Sequence, residues 1–187
     1  MLRQLRQIRN SVSTATFQTL VVALVMSRLD YGNSVLIGLL IHLIRRLQSV
    51  QNAAARLVCK LRRLDNITDA LIGLHWLRIP ERVIYKIAVL TFKVLHGTAP
   101  KYLGPLVRVA DLPGRQALRS AIINRLVVPP YKLSTIGSRA FPVAGPHIWN
   151  SLPEEITSAS SLLTFRKTSM TYLLIQSLPH LDLVHLF

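Results

Sequence analysis

Leu40-Ile41-His42-Leu43-Ile44-Arg45-Arg46-Leu47-Gln48-Ser49-Val50-Gln51-Asn52-Ala53-Ala54-Ala55-Arg56-Leu57-Val58-Cys59-Lys60-Leu61-Arg62-Arg63 is the most periodic stretch of the chain. Leu40, Leu43, Ile44, Leu47, Val50, Ala54, Leu57, Val58 and Leu61 recur at intervals of three and four, the spacing that lines one side of a helix. The period predicts a helix from about Leu40 to Leu61. Arg45, Gln48, Asn52, Arg56, Lys60 and Arg63 fall on its other faces, and no Asp or Glu occurs anywhere in the stretch. A face that serves solubility alone usually mixes signs, with Glu and Lys four residues apart. The uncompensated stripe of Arg45, Arg46, Gln48, Gln51, Asn52, Arg56, Lys60, Arg62 and Arg63 can follow a phosphate backbone instead, with its Gln and Asn adding hydrogen bonds to sugar or base edges. Arg45, Arg46, Gln48, Asn52, Arg56, Lys60, Arg62 and Arg63 are therefore the candidate nucleic-acid contacts, against the plainer reading of a solvated face.

On the N-terminal side, Arg3, Leu5, Arg6, Ile8 and Arg9 read as helix. Ser13 or Thr14 can cap a second helix whose apolar face holds Phe17, Leu20, Val21, Leu24 and Val25. Asp30-Tyr31-Gly32-Asn33-Ser34 is a turn by composition. Beyond the long helix, Thr68 with Asp69 starts a shorter one through Leu77, with Leu71, Leu74 and either His75 or Trp76 inward. Pro80 and Glu81 suit a first helical turn, and the helix they open carries Val83, Ile84, Ile87, Leu90, Thr91 and Val94 inward. Gly97 ends it in the left-handed conformation, with Pro100 beyond. Tyr102 to Val109 is read as one short helix.

Composition then shifts. Residues 111–139 hold Pro113, Gly114, Pro129, Pro130 and Gly137 without helical period, and carry Arg115, Arg119 and Arg125, with Tyr131 and Lys132 close behind. Leu126-Val127-Val128 and Tyr131–Leu133 allow a short β-hairpin near residues 125–133. Pro142, Gly145 and Pro146 oppose a regular helix over Ser138–Trp149. Ser160 or Ser161 caps a last helix with Leu162, Leu163, Phe165, Met170, Leu173 and Leu174, and a frayed tail follows Pro179. The expected fold is mainly α: a helical body over residues 1–110, a flexible basic linker or hairpin over 111–139, and a small lobe over 140–187 ending in one helix. Arg115, Arg119 and Arg125 join the candidate contacts by closing over a strand from the hinge.

Composition excludes several classes. The 187 residues include 23 Lys or Arg against 8 Asp or Glu, a net charge of +15, while 50% are hydrophobic. That apolar content rules out a disordered basic tail. One cysteine, Cys59, rules out a disulfide scaffold and a cysteine zinc site. The longest charge-free runs, residues 10–27 and those after Lys167 as far as Leu181, fall short of the roughly 18–20 predominantly apolar residues of a membrane span. Arg3, Arg6 and Arg9 before Leu20–Met26 resemble a signal peptide's basic start, but no A-x-A site follows before Arg28, and a core helix is expected. The balance points to an intracellular protein, cytoplasmic or nuclear.

No catalytic centre emerges. Asp30, Asp65, Asp69, Asp111, Asp182, Glu81, Glu154 and Glu155 are the only carboxylates. Glu154 and Glu155 are adjacent and do not converge on one ion, and Asp65 and Asp69 read as helix-capping residues. Phosphate-loop, nucleophile-elbow and metalloprotease motifs are absent. The six histidines, apart from His180 and His185 in the tail, lack metal spacing. Cys59 among apolar neighbours reads as a buried structural thiol. Trp76, Trp149, Phe92, Phe141 and Phe165 read as core, while Tyr31, Tyr102 and Tyr131 lie in turn-like sequence where a base can stack. No catalytic residue, metal or cofactor is expected.

Gln48-Ser49-Val50-Gln51-Asn52-Ala53-Ala54-Ala55-Arg56-Leu57-Val58 resembles a segment downstream of the reverse transcriptase palm in LINE-type (non-LTR) retrotransposon polyproteins. Ser27-Arg28-Leu29-Asp30-Tyr31-Gly32-Asn33-Ser34 is similar to the tract before it. His75-Trp76-Leu77, Pro80-Glu81-Arg82-Val83, Lys86-Ile87 and Thr91–Leu103 look like the family's following motifs. Arg139-Ala140-Phe141, Trp149-Asn150-Ser151-Leu152-Pro153, Ser161-Leu162 and Phe165-Arg166-Lys167 look like its ending. The resemblance is collinear over residues 4–175. It departs at Arg78-Ile79-Pro80, where the family more often has Pro-Val and a variable residue, and at Leu61–Asp65, which replaces a loop richer in Gly and Thr. It implies a post-palm, thumb-like helical portion that helps hold template RNA or target DNA. The family's polymerase carboxylates and its endonuclease have no counterpart in this sequence.

Three readings follow. The first is a non-catalytic portion of a retrotransposon RNA-directed DNA polymerase that binds RNA or DNA backbone with little sequence preference. The second is a helical interaction module whose surface, left by a missing palm domain, takes another chain or a second copy. The third is a basic amphipathic protein on anionic lipid.

Overall fold

The computed structural model describes residues 1–32, 36–113, 124–133 and 136–177. These residues are mainly helical, as the periodicity requires, with eight principal helices and no extended strands among them. The tail beyond Pro179 lies outside the described residues.

The first helix, α1 (Leu2–Ile8), buries Leu5. Ser13 starts α2 (Thr14–Val21), its Oγ accepting the Thr16 N–H at 3.2 Å. The chain continues through a π-helical turn, Val22–Met26, into Ser27–Leu29. A π turn admits one extra residue and resets the helix face. Val25, Met26 and Leu29 are consequently buried with Phe17 and Val21, whereas Leu24, expected inward, is 40% exposed.

The long amphipathic helix is α3 (Ile41–Cys59), with Gln51, Ala54, Ala55 and Val58 buried. Leu40 and Val50, expected on the apolar stripe, face outward, since the buried face of the helix runs through Gln51, Ala54, Ala55 and Val58. Lys60 stops the helix in the left-handed region at φ 56°, and the Lys60 and Leu61 amides both donate to the Arg56 carbonyl. The end thus falls just short of the expected Leu61.

The short α4 (Thr68–Gly73) ends before the expected Leu77. Asn66 Oδ1 accepts the Thr68 N–H at 3.0 Å, and Asp65 Oδ2 accepts the Arg62 N–H at 2.6 Å, so the side chains that pin this loop are Asn66 and Asp65. His75 at φ 53° turns the chain back, and Trp76 donates its amide to the Leu71 carbonyl. Trp76, not His75, is the inward residue.

Pro80 stands in the first turn of α5 (Ile79–Leu95), and Gly97 follows its end at φ 67°. Two 3-10 turns, Lys101–Leu103 and Val109–Asp111, replace the short helix expected over Tyr102–Val109. The expected hairpin is also replaced. Leu126 bridges Arg108 in antiparallel fashion, with Val109 N–H on the Arg125 carbonyl and Val127 N–H on the Val107 carbonyl, both at 2.9 Å. Pro129 and Pro130 have no amide to donate to a ladder with 131–133, and burying Leu126 fixes the alternative.

A regular helix, α6 (Phe141–Ser151), forms where proline and glycine argued against one. Pro142 occupies its first turn, where amides lack partners anyway. Pro146 removes one internal bond, but Val143, Ala144, Gly145, Pro146 and Trp149 are all buried against neighbours. Packing outweighs propensity there. The last two helices are α7 (Glu154–Thr157) and α8 (Leu162–Ser177), the latter started by Ser161 Oγ on the Thr164 N–H at 3.1 Å.

Helix α5 is the axis of the fold. Its Val83 and Ile87 belong to a cluster with Phe17, Val21, Val25, Ala54, Ala55 and Trp76. Its Ala88, Val89 and Phe92 belong to another with Leu126, Trp149, Leu152 and Phe165. Phe141 and Ile148 of α6 pack against the first cluster, so the expected boundaries at 110 and 140 do not mark the edges of independent cores. Among the described residues no helix is long and apolar enough to cross a membrane.

Candidate nucleic-acid interface

Successive residues of a helix turn by about 100°, which places Arg45 and Arg56 together on the side of α3 away from its buried face, with Lys60 just beyond its last turn. Arg45, Arg46, Lys60, Arg62 and Arg63 are exposed, and Arg56 is half-buried. The two ion pairs among the described residues both use Asp30, with Arg82 and Lys86, and neither involves these cations.

Gln48 and Asn52 are placed differently from the expectation that they reach toward a strand. Gln48 Oε1 accepts the Ile79 N–H at 2.8 Å, and its Nε2 donates to Gln51 Oε1 at 3.0 Å and Asn52 Oδ1 at 2.8 Å. Gln51, expected on the outer stripe, is instead fully buried and donates from Nε2 to the Leu77 carbonyl at 2.8 Å. These amides fasten the 77–79 connection to α3. The acceptor and donor groups of Gln48 are spent there, and the surface stripe is basic without it.

The structure adds two arginines that the α3 pattern alone did not include. Arg6 and Arg9 join Arg56, Lys60 and Arg63 around a groove of about 490 Å³ with Ala53, Leu57 and Leu61. Arg9 is 8% exposed. It donates from Nε to the Leu57 carbonyl at 3.1 Å and from Nη2 to the Val58 carbonyl at 3.2 Å, and lies 4.8 Å from the Phe17 ring centroid. A cation on the last carbonyls of a helix satisfies both their hydrogen bonding and the helix dipole. The regular spacing of Arg3, Arg6 and Arg9 was the available signal, but which helix end they meet was not in it.

Arg125 is exposed beside Leu126, over the second cluster, and lines a different cavity with Asn124, Trp149, Asn150 and Glu154. It does not share the α3 groove. Arg115 and Arg119 lie outside the described residues. Tyr31 and Tyr102 project at 88% and 84% exposure, enough to offer a ring face.

Chemistry-bearing groups are mostly structural. Asp30 receives Arg82 at 2.5 and 2.8 Å and Lys86 at 3.1 Å. Burial alone would raise its carboxyl, but the hydrogen bonds and charges of Arg82 and Lys86 prevail and hold it below its ordinary value. Cys59 is exposed on the last turn of α3, contrary to the buried thiol expected, because that turn presents Val58 inward. Partial desolvation raises its thiol against the opposing charge of Arg9, and a raised thiol is a poor nucleophile. Among the described residues no group of His, Cys, Asp and Glu has the arrangement of a metal site. No protein-family model, curated protein or solved structure matches the chain.

Proposed function

We propose that this helical region binds the backbone of RNA or DNA without chemistry, as the thumb-like, post-palm region of a LINE-type reverse transcriptase. One observation carries the reading: the outer face of α3, with Arg6 and Arg9, forms a basic surface whose groove has no carboxylate in its lining. Backbone contacts position a strand and read little sequence. Binding is therefore tolerant of sequence and steeply weakened by salt. Replacing Arg45, Arg56 and Lys60 together by Gln lowers the magnitude of the log–log salt slope by about two to three units, at roughly 0.7–0.9 per phosphate contact. An unchanged slope would reduce the stripe to a solvated face and move the search to residues 115–132. Magnesium-dependent primer extension by the purified chain is expected to be absent.

A second reading, a protein-interaction surface, is favoured by one feature. Leu36, Ile37, Leu39, Ile44, Val83, Ile84 and Ile148 line an apolar groove of about 260 Å³, and Leu40 and Ile41 stand exposed beside it. Exposed apolar patches promote association. Light scattering across concentration tests it: a monomer at every concentration, without binding of a hydrophobic dye, removes self-association.

A further inference from the structure

The basic stripe is not uniform along α3. Arg45 and Arg46 are exposed and lie outside the groove lining, whereas Arg56, Lys60 and Arg63 line the groove together with Arg6 and Arg9. Its volume, about 490 Å³, lies within the range of small-molecule sites, roughly 300–1,000 Å³. Cations reach it from α1, from the last turn of α3 and from the loop after it, and its apolar lining is Ala53, Leu57 and Leu61.

Two details distinguish this groove from a crowded surface. Arg9 is immobilised, with two of its three nitrogens on the Leu57 and Val58 carbonyls, so its charge is fixed at the wall. Arg56 has its Nε buried with no hydrogen-bond partner. A buried charged donor without an acceptor is costly and uncommon in folded proteins. Like charges gathered around an apolar floor repel, and an anion in the groove supplies the counter-charge that its lining lacks.

The chemistry of the cations selects the anion. Guanidinium groups pair in planar, two-bonded fashion with phosphate oxygens. A phosphate monoester carries close to two negative charges near neutral pH and three acceptor oxygens, whereas an internal diester carries one charge. Cations converging from three elements therefore reward the monoester most. We infer that the groove between α1 and the C-terminal end of α3 is a discrete phosphomonoester site, holding either the terminal phosphate of a nucleic-acid strand or a free phosphate. Arg45 and Arg46 then follow the diester chain outside it. The inference rests on the nucleic-acid reading only for the strand as the source of the phosphate.

The test uses the full chain with a pair of probes. In the first, inorganic phosphate replaces chloride at constant ionic strength and thermal unfolding is followed. A saturable rise in Tm is expected, lost in Arg56→Gln and in Arg63→Gln and kept in Arg46→Gln. The loop variant Arg63→Gln holds the test open should Arg56→Gln fail to fold. In the second, one oligonucleotide is compared with and without its 5′-phosphate. The phosphorylated form should bind tighter by on the order of tenfold, the ratio that one charge-assisted hydrogen bond supplies, and the preference should vanish in Arg63→Gln. Stabilisation by phosphate without an end preference supports the site and assigns it to free phosphate. No saturable shift, or one that survives both groove variants, overturns the site. Salt-dependent oligonucleotide binding in that same case would leave the broader reading standing, and loss of both would remove both.

Discussion

The two sides of α5 use the same kind of side-chain amide as a clasp and differ in what surrounds it. On the α3 side, the amides of Gln48 and Gln51 turn inward to hold residues 77–79, and the arginines and lysines around them remain outside. On the α6–α8 side, Asn150 turns inward, its Oδ1 accepting the Leu126 N–H and its Nδ2 donating to the Leu126 carbonyl, both at 2.9 Å. Trp149 Nε1–H meets the Asn124 carbonyl at 2.7 Å, while its ring stacks on Phe165 at 5.6 Å. An aromatic cluster supports that side, and a small-residue face with polar clasps supports the other. In both, a side-chain amide stands in for backbone pairing that loops cannot supply on their own. The α3 side keeps its charge for the surface, and the α6–α8 side spends its polar groups on itself.

Four measurements break or sharpen that contrast. Trp149→Ala has the largest expected effect, because it empties the aromatic cluster and frees the Asn124 carbonyl; about 3–5 kcal/mol of stability should be lost in urea unfolding. Its salt slope for nucleic acid should match the parent in any fraction that folds. Gln51→Ala comes next. It leaves the Leu77 carbonyl buried without a donor, a cost of about 1–3 kcal/mol by the same measurement. If Gln51→Ala were as stable as the parent, the clasp would be incidental to the α3 side.

Asp30 gives a smaller, pH-dependent effect. A carboxyl held below its ordinary value of 3.8 stabilises the fold above that value, and the stabilisation is lost as pH falls through the folded-state value. The urea midpoint should therefore drop at the acid end of a titration from pH 7 to pH 3. Asp30→Asn should be less stable than the parent at pH 7 and should show a shallower acid drop. Profiles that coincide at every pH would mean that the Arg82 and Lys86 bonds contribute nothing to folding. The least effect on stability is expected from the double Gln variant of Arg45 and Lys60, both exposed. Surface changes of this kind fall within about 0.5 kcal/mol each, so its nucleic-acid defect should appear in a chain that unfolds at nearly the parental urea concentration.

Local chemistry made much of this fold legible. Ser13 and Ser161 were recognisable as helix starts, Pro80 as a first-turn residue and Gly97 as a stop, because each acts on backbone groups within a few residues of itself. The long apolar period likewise marked α3, since intervals of three and four are a property of one helix. The basic character of its outer face required only that no acid lie within it.

What the sequence did not carry is whatever depends on a partner far along the chain. Gln51 and Leu77 are 26 residues apart, and Arg9 and Leu57 are 48 apart. From sequence alone Gln48 was indistinguishable from a solvent-facing residue suited to a strand, and Arg9 from another surface cation. Helix α6 is the same case in reverse: Pro142, Gly145 and Pro146 argue locally against a helix, and the burial of Val143, Ala144 and Trp149 outweighs them. Periodicity, caps and net charge are sums over neighbours in the chain, so the sequence determined α2, α3, α5 and α8 and the excess of basic charge. Which amide turns inward, which arginine closes a helix end and which cations share a groove are settled by contacts between distant segments, and only the tertiary structure decided those.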